Sequence, residues 1–327
     1  MSLLLTSELI RALKGNHYSM NSIDHSTILA PVVLFVYNRL DHVTQTIKYL
    51  QENRLANVSD LYIYSDGASS ERDQLSVEEV RAYLKTVEGF SSVVIVEQTE
   101  NFGLAKSIIS GVTEIVNRFG KIIVLEDDLI TSPYFLDFMN DALLTYESQS
   151  RVMHVSGYMY PIRHKSLPSS FFLRPTSCWG WATWKGSWEV FKKNSDYYLE
   201  VFDRKMIKQF NLNGSYDYFE QILANKSGAI NSWAIYWYAS CFLNDGLSLH
   251  PRESFVRNIG MDGSGVHCND TNLFYVDLAT ENVKNFGTVI EENKEATKQL
   301  VSYFRGIRSY SISGALNKIK NKLKMVF

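Results

Sequence analysis

Short apolar runs alternate, through the first half of the chain, with longer stretches whose apolar positions recur every three or four residues. "PVVLFVYNR" is a β-branched run that reads as a strand buried on both faces, and "DHVTQTIKYLQENRL" behind it has the period of a helix. The pattern repeats. "DLYIYSDGAS" ends in an Asp-Gly turn before "SVEEVRAYLKTVEGF", "SSVVIVEQTENFG" leads into "LAKSIISGVTEIVNRFG", and "KIIVLEDD" supplies a fourth strand. Strands alternating with helices predict an α/β fold built on a parallel, doubly wound sheet. Ser132 and Pro133 then predict a helix start, an N-cap with proline at the first helical position.

In such a sheet ligands bind outside the carboxyl ends of the strands. Those ends are Tyr37–Asn38–Arg39, Ser65–Asp66–Gly67, Asn101–Phe102–Gly103 and Glu126–Asp127–Asp128, all polar and all expected to face one crevice. The adjacent carboxylates of Glu126, Asp127 and Asp128 repel one another, so they need either full solvation, as in an ordinary acidic turn, or a cation. Neither G-x-G-x-x-G nor G-x-x-x-x-G-K-[ST] is present, which argues against a dinucleotide site and a P-loop. A nucleotide in this crevice would need a cation for its phosphates, and the triplet could hold one.

The second half reads differently. All six tryptophans lie between Trp179 and Trp237, in "SCWGWATWKGSWEVF" and "NSWAIYWYASCF". Trp181, Trp184 and Trp188, and again Trp233 and Trp237, have helical spacing. They fit a buried helix or, for Trp179, Trp181 and Trp233, a platform on which sugar rings stack. Gly180 predicts a loop start. At the end of the chain, Ile312, Ala315, Leu316, Ile319, Leu323 and Val326 share a face accompanied by Lys318, Lys320, Lys322 and Lys324, with Arg305 and Arg308 upstream. Over 305–327 this is a basic amphipathic helix suited to an anionic membrane surface or to docking on protein.

Composition narrows the classes. The 327 residues are 45% hydrophobic and 21% charged with a formal net charge of −2, a balance that gives no general attraction to nucleic acid. The three cysteines, Cys178, Cys241 and Cys268, are too scattered for a disulfide framework and read as reduced thiols in a cytoplasmic setting. No run approaches the roughly 18 apolar residues of a membrane span. "MSLLLTSELIRALKG" lacks the basic flank and length of a signal peptide, so export is not expected.

"VYNR", "SDG", "NFGLAKSIISGV" and "VLEDDLITSPYFLDF" together resemble the GT-A-type nucleotide-sugar glycosyltransferases. Among them the likeness is to the "EDD" group of N-acetylglucosaminyltransferase I and bacterial surface-polysaccharide enzymes. The resemblance covers roughly residues 30–160, with "RVMHVSGYMYP" and "SCWGWATW" extending it loosely. It implies a GT-A (Rossmann-like) domain with a mostly parallel central sheet flanked by helices, in two parts, a nucleotide-sugar half over 30–160 and an acceptor half over 161–275. An extension over 1–29 and a helical tail over 276–327 flank them.

It also implies roles. Asn38, Arg39 and Asp66 would line a uridine pocket, with Asp66 accepting from the base, and Asn101, Gly103 and Lys106 would border the nucleotide. Glu126 and Asp127 would hold the ribose and donor sugar, while Asp128 and His267 would bind Mn²⁺ or Mg²⁺ and Arg257 would meet the diphosphate. The partners implied are a UDP-sugar and a carbohydrate or lipid-linked glycan acceptor at the inner face of the membrane. An inverting enzyme also needs a carboxylate base. Where the family carries an acid the chain has Asn231, so Asp217 is the candidate, with Glu220, Asp245 and Asp262 as alternatives. A sugar nucleotidyltransferase of related fold and a non-catalytic carbohydrate-binding protein are the competing readings.

Overall fold

A computed structural model describes residues 29–163, 165–261 and 273–307. The expected alternation is present: β1 (Val32–Val36), α1 (Leu40–Gln51), β2 (Asp60–Ser65), α2 (Glu71–Leu84), β3 (Ser92–Glu97), α3 (Gly103–Phe119) and β4 (Lys121–Glu126). β3, β2, β1 and β4 lie side by side in that order, each parallel to the next. The strands are apolar on both faces because both are covered. Val32, Leu34, Ile123 and Leu125 face a core shared with Val43 and Ile47 of α1 and Val80 and Leu84 of α2. The alternate residues Val33, Phe35, Ile122 and Val124 face Ile108, Val112 and Ile115 of α3.

The sheet continues beyond β4, and there two strands reverse, within the mostly parallel sheet that was expected. β6 (Val152–Ser156), β7 (Ser170–Leu173), β8 (Trp181–Trp184) and β9 (Leu247–Pro251) bring the sheet, among the described residues, to eight strands in the order β3-β2-β1-β4-β8-β6-β9-β7. β8 runs antiparallel to β4 and β6, and β7 antiparallel to β9. The result is a mostly parallel α/β sheet with two reversed strands. Between β4 and α4 (Phe135–Thr145) lies β5 (Leu129–Thr131), which pairs antiparallel with β10 (Val256–Asn258) as a separate ribbon. α4 packs Phe135, Leu136, Phe138 and Met139 into the α1–α2 side. The helix expected from Ser132 starts at Phe135 behind Tyr134. Ser132 Oγ instead donates to the Ala279 carbonyl, and the Pro133 segment forms a turn.

The tryptophan spacing is corrected in part. Trp181 opens a strand and Trp184 closes it, and of the three only Trp188 lies in a helix, the short α5 (Lys185–Trp188). Trp233 caps α9 (Ala234–Leu243), where the spacing to Trp237 is helical as expected. Trp181 stacks on Trp233 at 5.3 Å between ring centroids, and Trp181, Trp188 and Trp237 meet in one cluster. A further layer holds α6 (Ser195–Val201), α7 (Arg204–Phe210) and α8 (Tyr218–Lys226), with Phe202, Phe210, Phe219 and Tyr238 at its centre. Residues 294–307 are helical and pack Ala296, Leu300 and Phe304 into that layer. Among the described residues no helix is long and apolar enough to cross a membrane. The amphipathic tail from 308 and the N-terminal stretch to 28 lie outside the described residues.

Candidate functional site

From β1 the chain winds outward to β2 and β3, then returns to place β4 on the other side of β1. The switch point of the sheet therefore lies between β1 and β4, where a crevice opens at their carboxyl ends. Arg39 leaves the end of β1 as the N-cap of α1, and Glu126–Asp128 leave the end of β4. The Nη2 atom of Arg39 donates to Asp127 Oδ1 and, at 2.8 Å, to Asp128 Oδ2. Two carboxylate oxygens thus converge on one cationic nitrogen, while Arg39 Nη1 is buried with no partner among the described residues.

The three acids are not equivalent. Glu126 keeps some exposed surface yet is densely surrounded by protein. Burial first, then the charges of Asp128 and Asp127, push its carboxyl up to about 8 against the pull of Arg39. This crowding favours its protonated form. Burial raises Asp127 to about 6, opposed by Arg39 and by the Tyr37 N–H that donates to it. The Asp127 carbonyl is fixed by Thr46 Oγ1 at 2.7 Å. Asp128 is held from the opposite side: Ile259 N–H donates to its carbonyl, and a Cβ on Gly260 would lie 2.2 Å from Asp128 Oδ2. Only glycine fits there, and the β5–β10 pairing of Asn258 with Leu129 delivers it. Gly260 is a site residue that no motif along the chain singles out.

Asp66, expected to accept from a base, is otherwise engaged. Its Oδ1 accepts from the N–H groups of Gly67 and Phe102, and its Oδ2 from Gly103 N–H and Asn101 Nδ2. Those four bonds fill the lone pairs of a carboxylate. They tie the end of β2 to the first turn of α3, so Asp66, Asn101 and Gly103 are brought together as a structural node. Gly67 is squeezed against the Glu100 backbone, where a Cβ would come within 2.5 Å of its carbonyl carbon. Asn38 reaches Asp73 of α2, whose carboxyl is held low by Ser69 and Ser70. Lys106 Nζ sits 3.7 Å over the Phe102 ring and lines, with Ile109, Lys193 and Asn231, a groove of about 610 Å³ along α3.

The opposite wall comes from the segment before β8. The Cys178 thiol, pushed up by burial, is near enough to Glu126 to feel its charge, and among the described residues no disulfide engages it or Cys241. Two buried histidines pin this segment. His154 Nδ1 accepts from Trp237 Nε1 at 3.0 Å, so its proton sits on Nε2 and donates to the Ser177 carbonyl. His250 Nε2 faces the Pro175 carbonyl at 3.1 Å. Half-buried Trp179 follows, edge-on to Tyr158 at 4.6 Å. From there aromatic contacts run through Tyr160 and Phe304 to Tyr216, beside Asp217. Trp181 and Trp233, by contrast, are buried, at 0% and 3% exposure, and offer no ring face to a sugar; the platform reading is corrected for both.

Asp217 is exposed at the N-cap of α8. Asn231 accepts from Lys193, and Asp245 is bound by Arg151 and Arg174. Arg257 lies on β10 with Nη1 on Tyr275 Oη at 2.8 Å, one strand from the triplet. His267 and Asp262 lie outside the described residues.

A comparison with protein-family models found no match, and one with curated proteins found none. Similar solved structures include a mannosyltransferase from Pyrobaculum calidifontis in complex with GDP-Man and Mn²⁺, at 9% identity and a TM-score of 0.36 over 67% of this chain and 70% of that one. S. aureus TarS 1-349 is similar at 8% identity and 0.41 over 70% of this chain and 60% of that one. Its complex with UDP overlaps at 12% and 0.29 over 43% and 38%. In the two TarS comparisons the match spans less than two thirds of the other chain. At these similarities none assigns a chemistry to this chain.

Proposed function

We propose that the chain is a GT-A-type glycosyltransferase that moves a sugar from a UDP-sugar to a carbohydrate acceptor with the help of Mn²⁺ or Mg²⁺. One observation carries this reading: Asp127 and Asp128 aim an oxygen each at a single cationic point in the crevice at the sheet's switch point. Hard carboxylate oxygens suit a hard divalent ion. Among the described residues no group of three or more His, Cys, Asp or Glu side chains could hold an ion by itself. The remaining ligands would be diphosphate oxygens and water, the usual arrangement for such ions at substrate phosphates. When bound, the ion neutralises the charge gathered by a departing nucleoside diphosphate.

The chain's own groups do the rest. Protonated Glu126 can donate a hydrogen bond to a sugar or ribose hydroxyl where an ionised carboxylate could only accept. Arg39 and Arg257 supply positive charge on either side of the triplet. Trp179 offers the half-buried ring face left after the other tryptophans are assigned to the core, and Asp217, at the far end of the same aromatic wall, is the base of this proposal. An inverting transfer to a lipid-linked glycan in surface-polysaccharide synthesis, by a protein at the cytoplasmic face of the membrane, completes the reading. The halves 30–160 and 161–275 would contribute donor and acceptor sides.

The test is UDP release from a panel of UDP-sugars with Mn²⁺, in wild type, Asp128→Asn and Asp217→Asn. One donor should be turned over by wild type, and each variant should lose about 100-fold or more. Absence of release from every donor, with no binding of UDP, would sink the proposal.

A further inference from the structure

Arg39 stands where the proposed function wants a metal. Its Nη2 atom takes Asp127 Oδ1 and Asp128 Oδ2 together, the same two oxygens that a divalent ion would need. An ion bound where the two oxygens converge would occupy the position now held by the Arg39 nitrogen, and two cations cannot share it, so the two occupants exclude each other there. We infer that Arg39 is a built-in counter-ion that a divalent cation must displace, and that the displaced guanidinium becomes a ligand for an anionic oxygen of the substrate. The inference rests on the reading of the crevice as a cation-dependent site.

Two further features support exchange over a permanent ion pair. First, Arg39 Nη1 is buried and has no partner among the described residues. A buried donor without an acceptor is unfavourable, so the resting pose leaves the guanidinium half satisfied. An oxyanion would satisfy it, and arginine's planar fork suits a phosphate. Second, the carboxylates are anchored independently of Arg39. Asp127 is held at its backbone by Thr46 and at its carboxylate by Tyr37 N–H, and Asp128 by Ile259 N–H and the close-packed Gly260. When the guanidinium leaves, the two oxygens stay converged. Arg39 retains 21% of its side-chain exposure, and as the N-cap residue of α1 it can swing without unwinding the helix. At rest the arginine offsets like-charge repulsion in a buried triplet, which lets the fold form before any ligand arrives.

Mn²⁺ alone is the probe. Free Mn²⁺ is read by electron paramagnetic resonance during titration of wild type, Arg39→Met, Arg39→Lys and the double variant Arg39→Met/Asp128→Asn. Removing the competitor should tighten Mn²⁺ binding by about tenfold or more in Arg39→Met. Arg39→Lys, whose ammonium keeps the charge but lacks the fork, should fall between it and wild type, and the double variant should lose the gain. Should Arg39→Met fail to fold, Arg39→Lys against wild type makes the same test. Equal or weaker Mn²⁺ binding in the Arg39 variants overturns the inference. Tighter Mn²⁺ binding together with no UDP binding in any variant leaves the exchange standing and removes the transferase reading.

Discussion

The two halves of the sheet keep buried polar groups in opposite ways. On the β3-β2-β1-β4 side, burial at the switch point raises Glu126 and Asp127 and sets an arginine against them. On the β8-β6-β9-β7 side, burial drives His154 down to about 3, aided by the nearby His250, and His250 down to about 4; both stay neutral and serve as hydrogen-bonding pins. The first side stores charge where a ligand is expected, and the second spends polar groups on fixing a loop. A crowded, charged cluster whose groups are only partly satisfied is the mark of a site, whereas a cluster with every partner assigned is the mark of a scaffold.

The largest way to break that comparison lies in the scaffold. Trp181→Ala or Trp237→Ala removes a fully buried ring from the tryptophan cluster and should cost about 3–5 kcal/mol, read from denaturant midpoints. A loss under about 1 kcal/mol would mean that the rings are not core.

pH sharpens it, because the two sides slope in opposite directions. An unfolded histidine takes up a proton below about 6.5 while buried His154 and His250 resist, so stability present above that pH falls as pH drops toward 4. The loss should reach roughly 3 kcal/mol per histidine by pH 4 at about 1.4 kcal/mol per pH unit. Glu126 works the other way. Its folded form holds a proton that the unfolded chain gives up above about 4.5, so stability falls as pH rises toward about 8. Urea titrations across pH should show a maximum between these limbs, and Glu126→Gln should flatten the alkaline limb alone. An unchanged alkaline limb in that variant contradicts the assignment.

Smaller effects follow at the seams. Gly260→Ala pushes a methyl group into Asp128 and should weaken UDP and Mn²⁺ binding by about tenfold with a modest loss of stability, about 1–2 kcal/mol. Calorimetry alongside thermal unfolding separates the two. Asp245→Asn breaks exposed ion pairs with Arg151 and Arg174 and should cost under about 1 kcal/mol with no change in nucleotide binding.

How much of this could be read in the chain follows from the same contrast. The strands of the first side announce themselves because each is a short β-branched run closed by a polar end, and the helices between them keep a clear period. The triplet was legible for the same reason, since acids directly after "KIIVL" fall at the end of a strand. Its counter-ion was not: Arg39 and Asp127 are 88 residues apart and meet only because β1 and β4 are neighbours. The β5–β10 ribbon is three residues long on each strand, too short for a pattern, and it alone brings Gly260 to Asp128. On the second side, aromatic residues covered on every face erase the alternation that separates strand from helix. Trp181 and Trp184 therefore read as helical spacing although they open and close a strand. Asp66 read as an acceptor for a base because three of its four partners are backbone N–H groups, which no side-chain pattern reveals.

The most direct test of the central claim is calorimetric titration of UDP into the protein, with Mn²⁺ and with chelator, in wild type and Asp128→Asn. Binding that needs Mn²⁺ and disappears in the variant is the predicted result. UDP that fails to bind in either condition, or binds equally well to Asp128→Asn with chelator present, would contradict a nucleotide-sugar site built around a cation at the end of β4.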